Sequence, residues 1–124
     1  MLVIVATPTM AGLEGFTRGL IDSGAEVAHA RSGMSALEMA KARAPALVIV
    51  DGGLKDFRPF ELVTELTRVD ASINTAVMSH LDEEKFHDKA EGLGVLASLG
   101  TQPGAEDAVE VMAMLRRVLE RLVI

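Results

Sequence analysis

The chain has 124 residues, 49% of them hydrophobic and 3% aromatic, with a formal net charge of −6 and no cysteine. That length suits one domain, residues 1–124, whose core must be built from Val, Leu, Ile, Ala and Met. The composition excludes disulfides, thiolate metal sites and a cysteine nucleophile, and the net acidity disfavours nonspecific contact with nucleic acid or an anionic membrane.

Met1 to Val5 is apolar but has no basic flank and is too short for a signal peptide. No apolar run is long enough to span a bilayer, so a soluble cytoplasmic domain is expected. Leu2 to Val5 reads as a buried strand. Leu13, Phe16, Leu20 and Ile21 then mark one apolar helix face, ended by Ser23-Gly24. Gly12, Gly15 and Gly19 weaken that helix, which therefore needs tertiary support. Glu26 to Ala30 is a weaker strand, suited to a sheet edge. Ser32 or Ser35 can cap the next helix, Ser35 and Glu38 having capping-box spacing, and Pro45 ends it.

Ala46 to Val50 is the strongest strand pattern. A third helix carries Phe60, Val63 and Leu66, and Thr75 to Met78 forms a fourth strand. Asp82-Glu83-Glu84 suits the positive start of a fourth helix, which runs through Phe86 and Ala90 to Gly92. Val95 to Ala97 is a short fifth strand. The last helix carries the stripe Val109, Met112, Leu115, Leu119 and Leu122. Continuous apolar strands alternating with amphipathic helices predict a doubly wound α/β fold: one five-stranded parallel sheet in the flavodoxin-like order 2-1-3-4-5.

Chemistry in such sheets gathers at the carboxyl ends of the strands. Asp51-Gly52-Gly53 follows the third strand. Asp51 can act as a nucleophile toward a phosphoryl group, or it can start a turn or cap a helix, and the spacing leaves both open. Ser79 follows the fourth strand. Its hydroxyl could donate to an anion held near Asp51, although Ser is also a favoured N-cap, which is the stronger reading of the residue alone. His29, His80 and His87 show no metal-ligand spacing.

Two stretches carry a family resemblance. Gly33-Met34-Ser35-Ala36-Leu37-Glu38-Met39-Ala40 precedes Ala44-Pro45-Ala46-Leu47-Val48-Ile49-Val50-Asp51. Together they resemble the centre of a bacterial two-component response-regulator receiver domain. The resemblance extends over the whole chain in length and element order. It implies that Asp51 stands at the phosphoacceptor position and Ser79 at the Ser/Thr switch position. It also implies phosphorelay signalling rather than enzymatic activity. The expected partners are a sensor histidine kinase and an output protein. In that family the fourth helix, fifth strand and last helix commonly carry partner or dimer contacts, so a homodimer through the last helix and fifth strand is also expected.

The departures from the family are specific. The family ends its first strand with paired acids that hold Mg²⁺, whereas Val5 is followed here by Ala6-Thr7-Pro8-Thr9-Met10. The family's fifth strand ends in Lys-Pro, and the place reads Ser98-Leu99-Gly100-Thr101-Gln102-Pro103 here. The aromatic switch residue is replaced by Leu96 or Ala97. Asp51 with the Gly53 carbonyl would make a poor Mg²⁺ site, because that ion takes octahedral oxygens and usually one or two carboxylates. No resident cofactor is therefore expected, and Mg²⁺ binding should be weak. The alternative to a phosphorylated receiver is a phosphorylation-independent pseudo-receiver that works by binding or dimerising.

Overall fold

The computed structural model describes residues 1–121. Ten elements alternate along them: β1 (Leu2–Ala6), α1 (Glu14–Asp22), β2 (Glu26–Ala30), α2 (Gly33–Arg43), β3 (Leu47–Asp51), α3 (Pro59–Val69), β4 (Asn74–Met78), α4 (Glu83–Ala90), β5 (Val95–Leu99) and α5 (Ala105–Arg121). The strands form one parallel sheet in the order β2-β1-β3-β4-β5. The expected order and the edge position of Glu26 to Ala30 are both observed. β5 runs two residues further than the sequence pattern suggested.

Period-two alternation along the strands divides the core between the two faces. Val3, Val5, Leu47 and Ile49 point to one side, against Phe16 and Leu20 of α1 and Met112 and Leu115 of α5. Ile4, Ala6, Val48 and Val50 point to the other, against α2, α3 and Phe86 of α4. β1 and β3 are thus covered on both sides, and that is why their sequences are uninterrupted apolar runs.

The α1–α5 seam is tight. A Cβ on Gly19 would lie 2.8 Å from the Ala108 Cβ and 2.9 Å from the Ala105 carbonyl oxygen. The glycine that weakens α1 as an isolated helix therefore permits its closest packing. The seam also corrects two expectations. Ile21 is 50% exposed and Val109 is 55% exposed. α5 buries Ala108, Val111, Met112 and Leu115, a stripe shifted by one residue from the expected start at Val109. Leu119 packs partly buried against this core, while Leu122 lies outside the described residues.

Helix starts follow capping chemistry, with corrections. Ser32, not Ser35, caps α2, its hydroxyl accepting from the Ser35 amide at 3.0 Å. Asp82 caps α4, accepting from the Lys85 amide at 2.8 Å. Ser79 is therefore not an N-cap. Its hydroxyl instead accepts from the Leu81 amide at 3.0 Å in a short turn. No described helix is long and apolar enough to cross a membrane.

Candidate functional site at the carboxyl ends of β1, β3 and β4

Asp51 is the last residue of β3, half-buried at the sheet rim. Register places it opposite Met78, so Ser79 follows immediately on the neighbouring strand. The Gly52 amide donates to the Met78 carbonyl at 2.9 Å, and a Cβ on Gly52 would lie only 2.9 Å from that same oxygen. Glycine at 52 thus lets the chain leaving Asp51 run hard against the end of β4. The structure brings Asp51, Gly53 and Ser79 to one end of the sheet.

Both carboxylate oxygens of Asp51 are engaged. Oδ1 accepts from the Gly53 amide at 2.7 Å. That bond is the local turn expected of the residue, so the turn and the rim position coexist. Oδ2 accepts from the Thr7 hydroxyl at 2.6 Å. Thr7 Oγ1 also lies 2.9 Å from the Thr9 carbonyl. A hydroxyl has one proton, and the shorter, charge-assisted contact to the carboxylate is the stronger of the two.

Thr7 is a site residue that the sequence pattern did not reveal. It is 1% exposed, one of two buried polar residues among those described. Its amide donates to the Ala30 carbonyl of β2 at 2.9 Å. Its carbonyl lies 2.8 Å from His29 Nε2; a carbonyl can only accept, so that nitrogen carries the proton. Three bonds therefore tie Thr7 to β2 and β3, and His29 has a structural role.

Mg²⁺ demands near-octahedral oxygens at about 2.0–2.1 Å, usually with one or two carboxylates. Asp51 stands with the Thr7 hydroxyl beside it rather than a second acid. Among the described residues, no group of three or more His, Cys, Asp or Glu lies close enough to hold a metal. Asp56, the next carboxylate along the chain, is committed to the start of α2. Its oxygens accept from the Gly33 and Met34 amides at 2.9 and 3.0 Å, adding a second cap to α2. The Met34 amide above all holds the Asp56 carboxyl below its ordinary range; desolvation opposes it, and the Gly33 amide adds to the lowering.

The end of β5 supplies no cation. The Leu99 carbonyl accepts from the Ser79 amide at 2.9 Å, so Gly100 is the residue reaching the rim beside Ser79. A Cβ there would meet no atom within 4 Å. Lys55 is exposed on the β3–α3 segment.

Comparison with known proteins places this geometry in a fold. No protein-family model matches the sequence. No curated protein matches it either. The fold is similar to that of a CheY-like response regulator receiver domain from Methanospirillum hungatei JF-1, with 16% identity, 97% of each chain covered and a TM-score of 0.82. It is also similar to the receiver domain of AraT, a response regulator from Geobacillus stearothermophilus, with 21% identity, 99% and 98% coverage and a TM-score of 0.80. The signal receiver domain of the putative response regulator NarL from Mycobacterium tuberculosis shares 22% identity, with 97% and 94% coverage and a TM-score of 0.75. The chain therefore has the receiver-domain fold, matched over nearly its full length.

Proposed function

We propose that the chain is a receiver module of two-component signal transduction that signals by protein contact, without metal-assisted phosphorylation of Asp51. The observation that carries this reading is the Thr7–Asp51 hydrogen bond. In phosphoryl transfer, metal ions and cations neutralise charge developing on the transferred group. Here the carboxylate at the phosphoacceptor place is bonded to a buried hydroxyl, and Gly100 stands at the rim beside Ser79.

The contact face of this reading is the groove between α4, β5 and α5. It measures about 610 Å³ and is lined by Phe86, Ala90, Val95, Leu96, Ala97 and Met114 among others. That surface suits an output protein, a sensor histidine kinase or a second copy of the chain. The exposed charges Arg116, Arg117, Glu120 and Arg121 lie on α5, and charges at a rim tune association rate and specificity more than affinity. The module acts as a binding protein rather than an enzyme, in the cytoplasm where kinases and outputs meet it.

A second reading, a working phosphoacceptor, is favoured by the adjacency of Asp51 and Ser79 across the β3–β4 register. Intact mass after incubation with acetyl phosphate and Mg²⁺ separates the two. Unchanged mass is expected. A gain of one phosphoryl group that vanishes in Asp51→Asn would overturn the metal-free reading and establish the second.

A further inference from the structure

A second groove, on the other side of α4, opens beside the Asp51 site. It encloses about 530 Å³ between the start of α3 and the β4–α4 turn, within the range of about 300–1,000 Å³ typical of small-molecule sites. Its apolar lining comes from Phe60 and Leu81, both partly buried and packed against the core. The Phe60 ring is held in place by an edge-to-face contact with Phe86, with centroids 5.3 Å apart. This apolar wall is therefore preformed.

The polar groups around it are mainly cationic. Arg58 and Lys89 both line it, and both are exposed. Among the described residues, neither forms an ion pair. That contrasts with a chain whose net charge is −6. Glu61 is the one carboxylate in the lining, which disfavours a multiply charged anion and leaves room for a single negative head. Ser79 also lines the groove, and its hydroxyl uses an acceptor site toward the Leu81 amide. Among the described residues its own proton has no acceptor. A guanidinium and a hydroxyl together suit a carboxylate or similar oxyanion head.

We infer that this groove binds a small amphipathic monoanion, a carboxylate or sulfonate head on an apolar body. The head lies toward Arg58, Lys89 and Ser79, and the body lies on Phe60 and Leu81. Gly52 lines the same groove and connects it directly to Asp51. An occupant would therefore touch the segment that covalent modification of Asp51 would otherwise disturb. Binding itself does not depend on whether Asp51 accepts phosphate, so this inference and the functional reading above fail separately.

The test is a titration of the full chain with decanoate, followed through backbone amide NMR shifts, with decanol and inorganic phosphate as separate arms. Decanoate is expected to move the amides of Gly52, Phe60, Ser79 and Lys89 saturably. Decanol, which lacks the head, and phosphate, which lacks the body, should each bind much more weakly. Arg58→Gln and Lys89→Gln should each weaken decanoate binding about tenfold or more, the scale of one hydrogen bond to a charged group. Arg117→Gln on α5 should leave it unchanged. The spectra report directly whether each variant is folded, and a misfolded variant is replaced by the Met exchange at the same position. Shifts centred on Leu96 and Met114, equal binding of decanol, indifference to both cation exchanges, or no saturable shift would each overturn the site.

Discussion

The Thr7 hydroxyl and the Asp51 carboxylate, 44 residues apart in sequence, meet at 2.6 Å where β1 and β3 end. Thr7 is held there independently by Ala30 and His29 of β2. The contact is thus fixed by the sheet rather than by a mobile loop. It sets a neutral donor against that carboxylate at the end of β1.

Thr7→Asp should create a Mg²⁺ requirement. Two carboxylates at this separation repel in the metal-free protein, which should melt at lower temperature than the wild type. A divalent ion relieves the repulsion. At ten times its dissociation constant it should return about 1.4 kcal/mol of stability. Thermal melts with and without MgCl₂ check this, and an equal Mg²⁺ response in the wild type would sink it. Adding Gly100→Lys should then permit acetyl phosphate to modify Asp51, because the open space at Gly100 admits a side chain beside Ser79.

Thr7→Val should cost about 1.5 kcal/mol in urea unfolding, the lower end of the scale of a hydrogen bond to a charged group. Valine keeps the shape and the backbone bonds to β2 but leaves Asp51 Oδ2 without its donor. Because Asp51 is half-buried, water replaces part of the loss, which keeps the cost below that of a fully buried carboxylate. An unchanged urea midpoint would show the bond to be energetically silent.

Gly19→Ala sets two effects against each other. Alanine in a helix interior is favoured over glycine by about 1 kcal/mol. The new methyl would press on the Ala108 Cβ and the Ala105 carbonyl at distances that real Cβ atoms essentially never adopt, and such overpacking costs about 1–3 kcal/mol. Packing should win, with a net loss in the urea midpoint. A variant more stable than the wild type would mean that α1 and α5 slide apart at little cost.

Asp56 links stability to pH. Its folded carboxyl lies below the ordinary value of 3.8 because it accepts the Met34 and Gly33 amides. A depressed folded value means that the contribution is present above the unfolded value, near pH 4, and is lost as pH falls through the folded one. Asp56→Ala should therefore be less stable than the wild type at pH 6, by about 1 kcal/mol on the scale of a helix cap. The difference should close as the pH falls below the ordinary carboxylate range and through the depressed folded value. A gap in urea midpoint that stays constant across that range would contradict the assignment.

The strands were legible because β1 and β3 are buried on both faces, which forces unbroken apolar sequence, while β2 at the edge reads weaker for the same reason. The helix faces were legible only in part. Apolar periodicity counts large side chains, but the α1–α5 seam is made by Gly19 and Ala108, so Ile21 and Val109 were read as buried when they face outward. Asp51 and Ser79 were found because strand ends can be located from the pattern. Thr7 was missed because a search for acids passes over a hydroxyl, and only the β1–β3 register shows what that hydroxyl touches. The cap that Asp56 provides to α2 spans 22 to 23 residues, beyond the reach of any local capping rule.

The two margins of the sheet decide how copies of this chain can meet in concentrated solution. Along β5 the register jumps between Thr75–Val95 and Ala76–Ala97, leaving Leu96 unmatched. A kinked margin of this kind is a poor template for an incoming strand. Along β2, Glu26 is paired with Arg43 at 2.8 Å, and the His29 ring is committed to Thr7. One margin is bulged and the other carries a charged pair. Both features disfavour growth of a continuous intermolecular sheet, the route to fibrils, and steer encounters between copies toward the helical flanks.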